Sequence, residues 1–204
     1  MEDGIIEKKI KTAIKESMEL KVKILSDMNL VRCIKEVALL IYEVLKRGGK
    51  ILLCGNGGSA ADAQHIAAEL SGKFYYDRKP LYAEALHVNT SYLTATANDY
   101  SYEDVFSRLI EARGRAGDIL IAISTSGCSR NIIKAIETAN RMGLITIGFS
   151  GSSGGEMKGR CRYLLAIPSD DTPRIQEGHI LIGHIICEIV EEKFIRDEAT
   201  SHIS

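Results

Sequence analysis

Five short apolar runs constrain this chain more than any other feature: "ILLC" at 51–54, "AEAL" at 83–86, "ILIAIS" at 119–124, "LITIGFS" at 144–150 and "YLLAI" at 163–167. Each is continuous instead of alternating, the pattern of a strand covered on both faces. Helical stretches separate them near 59–71, 102–113, 130–141 and 174–196. Strands joined through helices lie parallel, with right-handed crossovers. The pattern predicts an α/β fold, a three-layer αβα sandwich around a central parallel five-stranded sheet. Ligands of such open sheets sit beyond the carboxyl ends of the strands, so the loops that follow the runs are where chemistry belongs. One of them, "GSSGGE" at 151–156, reads as a flexible βα loop.

Ahead of the first run, Ile6, Ile10, Ile14, Met18, then Val37, Leu40, Ile41 and Val44 recur every three to four positions without a breaking Gly or Pro. They predict one long or two shorter amphipathic helices, an arm over 1–48 ahead of a domain at 49–197 and a tail at 198–204. The apolar stripe of such an arm is covered by the chain's own core or by another subunit. The chain carries 26 basic and 27 acidic residues, a balance that gives no field for nucleic acid or an anionic membrane. No run approaches the roughly 18 apolar residues of a membrane span, and the N-terminal "MEDGIIEKKIKTAIKE" is charged, unlike a signal. A cytoplasmic protein is expected. Its five cysteines form no C-x-x-C pair, which argues against a disulfide framework or a thiolate zinc site.

Three strand ends are chemically rich. After the first run comes "GNGGSAADAQHIAAEL", 55–70, which lacks the Lys-Ser/Thr ending of a P-loop and has Ala60 at the third glycine of the dinucleotide fingerprint. What remains is a turn of Asn56, Gly57 and Gly58, with Ser59 as a helix N-cap, launching a helix that carries His65 and Glu69 four apart on one face. Glu69 sits among small apolar residues, where a carboxylate costs free energy unless it is paired, bound or turned to solvent. After the third run, Ser124, Thr125, Ser126 and Ser129 crowd around Gly127 in "ISTSGCSRN". One hydroxyl suffices for an N-cap; four, at a helix start, are enough to wrap a phosphate. Arg130 either adds charge there or is solvated. The last helix, in "DDTPRIQEGHILIGH", starts near Asp171 or Thr172 with Pro173 in its first turn. Gln176 and His184 differ by about 80° around its axis and can converge, whereas His179 lies about 140° from His184 and points elsewhere.

His65, Glu69, His184 and Gln176 thus form a set of N and O donors suited to a divalent metal such as zinc; alternatively, Glu69 and His184 are an acid–base pair. His87, by a strand end, and His202, in the tail, take no role.

The strings "GNGGSAADAQH", "LTATANDYSYEDVFSR", "ISTSGCSRN" and "RIQEGHILIGH" closely resemble the sugar isomerase (SIS) family, and within it the phosphoheptose isomerases, in order from about residue 30 to 195. The resemblance implies an enzyme that converts sedoheptulose 7-phosphate to D-glycero-D-manno-heptose 7-phosphate for bacterial surface glycans. It implies a homotetramer with active sites between subunits. Asn56, Gly57, Gly58, Asn98, Asp99, Ser124, Thr125, Ser126, Ser129 and Gln176 would contact the sugar phosphate, beside Ser59 and Glu69. One Zn²⁺ per subunit would sit on His65, Glu69, Gln176 and His184, with Glu69 and His184 moving protons. Two departures touch the pocket: Cys128 stands where the family often has Asn, and Asn89 where it commonly has Asp. Rival expectations are a non-catalytic SIS protein that binds the replication initiator, whose last helix lacks the catalytic His, or an isomerase of another sugar phosphate.

Overall fold

The structure, a computed structural model, describes residues 2–201, so His202 lies outside the described residues. Five parallel strands, β1 (Ile51–Cys54), β2 (Ala83–Ala85), β3 (Ile119–Ile123), β4 (Ile145–Ser150) and β5 (Tyr163–Ala166), form one sheet in the order β2-β1-β3-β4-β5. Successive residues point to opposite faces, so the sheet divides the interior into two cores. On one face Ile51, Leu53, Ile121, Phe149 and Leu165 pack under α2 (Met28–Lys46), α3 (Gly58–Ser71) and α7 (Thr172–Ser201). On the other Leu52, Cys54, Leu120 and Ala122 pack under α5 (Val105–Arg113) and α6 (Arg130–Arg141). The three-layer sandwich is the one expected. Only β1, β3 and β4 are buried almost throughout; β2 and β5 are edge strands with half-buried residues.

The expected arm consists of two helices. Asp27 breaks them, because its Oδ1 accepts the N–H groups of Asn29 and Leu30, both at 3.0 Å, and so caps α2. The two helices have different fates. Ile34, Val37, Ile41 and Val44 of α2 are buried in the chain's own core, whereas Ile6, Ile10, Ile14 and Met18 of α1 (Glu2–Ser26) stay more than half exposed in the single chain. Helix α7 continues to Ser201, into the stretch read as a tail.

One helix was not anticipated, α4 (Thr90–Asp99). Its sequence is rich in Thr and poor in helix propensity; Thr96 is buried, and Tyr92, Leu93 and Ala97 pack partly buried on the second core, a stripe too short to mark the helix by periodicity. It is started by Asn89, whose Oδ1 accepts the Tyr92 N–H at 3.0 Å.

Candidate active site

The chain leaves β1 through α3 on one face of the sheet and leaves β3 through α6 on the other, so the ends of these adjacent strands open a crevice at the switch point. Asn56, after β1, and Asn131, in the first turn of α6, span it. Their amides exchange two hydrogen bonds of 2.9 Å, and the Tyr102 hydroxyl donates to Asn56 Oδ1 at 3.0 Å. Sequence reasoning missed Asn131 and Tyr102, since no spacing rule marks an amide that pairs across a sheet.

Ser59 is not the N-cap it was expected to be. Helix α3 begins two residues earlier than such a cap would give, at Gly58; its cap is Gly57, at a φ of +55° that favours glycine, and Ser59 is buried within the first turn. Gly58 lies under the side-chain amide of Gln176, which reaches across from α7; a Cβ there would displace that amide.

After β3 the hydroxyls converge. Ser124 Oγ lies 3.1 Å from Ser129 Oγ and 3.4 Å from Ser126 Oγ, and Ser126 Oγ accepts the Cys128 N–H at 3.2 Å. Ser129 has the backbone of an N-cap, yet its hydroxyl caps nothing and turns to Ser124 instead. Ordinary capping therefore does not account for this loop. Arg130 is exposed. The 151–156 segment, expected to be flexible, is packed against the loop: the Gly151 N–H donates to Thr125 O at 2.9 Å, and a Cβ on Gly155 would collide with Ser126 O. Its glycines permit contact with the neighbouring backbone. Between the two segments lies a cleft of about 310 Å³ lined by Thr125, Ser126, Gly151, Ser152, Asp170 and Thr172.

The packing of α3 on α7 brings the titratable groups together. His65 Nε2 lies 3.1 Å from Glu69 Oε1 and 3.1 Å from His184 Nε2. All three donor atoms fall within 4.8 Å of one another. Ligands at about 2.0–2.1 Å from a tetrahedral zinc stand roughly 3.3 Å apart, so the two separations at His65 fit such an ion. The Phe74 ring, its centroid 5.6 Å from that of His184, walls one side. His179 does point elsewhere: it is fully buried with Nε2 3.2 Å from Ser150 O, and burial pushes its pKa down to about 4. His87 is half-buried, and burial lowers its pKa too. Asn98 and Asp99 end α4 on the surface, Asn98 Nδ2 donating to Asp99 Oδ1 at 2.9 Å; in the single chain they stand open to solvent.

The chain is similar to known proteins in sequence and in fold. The SIS domain family model matches residues 20–151, more than half of the chain. A phosphoheptose isomerase of Clostridium acetobutylicum is 53% identical over 189 residues, covering 93% of this chain and 96% of that protein. The phosphoheptose isomerase of Aneurinibacillus thermoaerophilus is 53% identical over 192 residues, 94% of this chain and 97% of its own length. The solved phosphoheptose isomerase of Neisseria gonorrhoeae superposes with a TM-score of 0.86 at 40% identity, over 92% of this chain and 99% of that one. The chain belongs to the SIS domain family and, within it, to the phosphoheptose isomerases.

Proposed function

We propose that this chain interconverts sedoheptulose 7-phosphate and D-glycero-D-manno-heptose 7-phosphate in the cytoplasm, on the route to the heptose of a bacterial surface glycan. The observation that carries the reading is the convergence of His65, Glu69 and His184 beside a loop of hydroxyls at one crevice. Ketose-to-aldose isomerisation moves one proton from C1 to C2 and another from O1 to O2, through an enediol or enediolate. Glu69 takes the proton from C1 and returns it to C2. His184 donates to O2 and accepts from O1. No atom is gained or lost.

The phosphate rests on Ser124, Thr125, Ser126 and Ser129, so the far end of the extended sugar is anchored while C1 and C2 are oriented at the helices. Asn56, Gly57, Gly58, Asn98, Asp99 and Gln176 contact the chain between these ends. Ser59, at 4% exposure, we assign to packing of the turn. His65, Glu69, His184 and Gln176 would hold one Zn²⁺ per subunit, which supplies Lewis acidity at the sugar oxygens when bound; the atoms of Glu69 and His184 that held it would not be the ones that carry the protons.

The exposed stripe of Ile6, Ile10, Ile14 and Met18 continues toward an apolar groove lined by Ile24, Leu25, Val31, Leu181, Ile185 and Ile189. A contiguous apolar surface of this kind fits burial against further copies of the chain, here as a homotetramer with sites between subunits.

NMR of products formed from sedoheptulose 7-phosphate tests the reaction; an unchanged spectrum overturns it. Metal analysis tests the zinc set, which is wrong if His65→Ala binds as much zinc as the parent. Sedimentation of a monomer at micromolar concentration would overturn the tetramer.

A further inference from the structure

Seven residues beyond His184 on α7 lies Glu191, a buried carboxylate. Its Oε1 accepts the N–H of Phe74 at 2.9 Å, and its Oε2 accepts those of Tyr75 at 2.6 Å and Tyr76 at 3.1 Å. Arg78 Nε is 3.0 Å from Oε1, and both side chains are 1% exposed. Burial by itself raises the pKa of such a carboxyl; here the three N–H donors and the Arg78 charge outweigh it and hold Glu191 below the ordinary carboxylate range.

The other end of Arg78 reaches the last turn of α3. Nη1 donates to Leu70 O at 2.9 Å, Gly72 O at 3.2 Å and Lys79 O at 3.2 Å, while Nη2 donates to Glu69 O at 3.0 Å. Those of Glu69, Leu70 and Gly72 stand at the C-terminal end of α3, where carbonyls have no partner within the helix. One buried ion pair therefore fastens three things at once. It holds the backbone of Glu69, the turn that sets Phe74 against His184, and the helix that bears His184. A buried pair of charges is often no more stabilising than an apolar pair of similar volume, so stability alone gives weak grounds for this one. What an apolar pair lacks is the set of directional bonds to seven backbone groups.

We propose that Arg78 and Glu191 are positioning residues of the isomerisation, holding Glu69 and His184 at reacting distance from the sugar. The inference rests on the reading of Glu69 and His184 as the groups that move protons. A displacement of about 1 Å costs roughly a hundredfold in rate when it misplaces a reacting group.

The test is steady-state kinetics with sedoheptulose 7-phosphate on the intact protein, for Glu191→Gln, Glu69→Gln and the double variant. Glu191→Gln keeps the shape and an acceptor oxygen but removes the charge. The expected result is a kcat lower by about tenfold to a hundredfold with KM within about twofold of the parent, because the phosphate loop hangs from other strand ends. In the Glu69→Gln background the same change should cost less than about threefold, since the base it positions is already gone. Equal fold losses in both backgrounds, or a lowered melting temperature with unchanged kcat, overturn the proposal. Undiminished turnover by Glu69→Gln overturns the proton-transfer reading instead, and the positioning role with it. Should Glu191→Gln not fold, Arg78→Lys replaces it: the charge remains, but the planar fork that reaches several carbonyls is lost, and the same outcomes decide.

Discussion

The two sides of the crevice are built in opposite ways. On the β3 side, Ser124 and Ser129 are five residues apart, and one turn brings their neutral hydroxyls together. On the β1 side, His65 and His184 are 119 residues apart and meet only because α3 packs on α7. Recognising a phosphate needs donors that a single turn already presents, so the site can be local in sequence. Moving protons needs titratable groups held close together and partly out of water, and that arrangement has to be imposed by packing. Asn56 and Asn131 tie the two sides.

The sharpest test of this contrast is Glu69→Gln, for which kcat should fall by about 10²–10⁴-fold while KM changes little. A comparable rise in KM would mean that the chemical side also carries the binding.

A second test separates the scaffold under both sides from their chemistry. Folded His179 stays neutral down to about pH 4, whereas the unfolded residue titrates at 6.5. Between those values the unfolded state binds more protons, so stability is lost as pH falls through the window, by up to about 3 kcal/mol. Urea unfolding at several pH values should show a steeper loss for the parent than for His179→Asn, and equal slopes would refute the assignment.

On the binding side, Ser124→Ala with Ser126→Ala should raise KM by about 10–100-fold, with a smaller change in kcat, as hydrogen bonds to a charged group are lost. Unchanged substrate affinity would remove the phosphate from this loop. The smallest effect belongs to the tie. Asn131→Ala should lower Tm by roughly 2–4 °C, about one net hydrogen bond's worth, and weaken kcat and KM together. An effect on one parameter alone would show that the sides are independent.

Much of this was legible along the chain. The continuous apolar runs specified the sheet and its layers, because strands covered on both faces leave no polar alternation. The i, i+4 spacing put His65 beside Glu69, and helical phase turned His179 away from His184. Where local signals were weak or shared, the reading failed. Ser59 looked like a cap because serine caps many helices, yet Gly57 alone suits the left-handed φ. The glycines of 151–156 signalled flexibility, although their use is to let Gly155 lie against Ser126 O. Helix α4 packs on the core only through Tyr92, Leu93, Thr96 and Ala97, too short a stripe for periodicity to show.

The sequence by itself determined most of the elements, the parallel layering and the hydroxyl loop, since these depend on contacts within a turn or on the pattern of one strand or helix, and its motif strings carried the resemblance to the family. Only the tertiary structure decided that β1 and β3 are neighbours, that Gln176 rests on Gly58, and that Glu191 and Arg78 lock the end of α3. Those pairings join residues up to 118 apart, and no local energy term selects between one distant partner and another until the two cores have closed around the sheet.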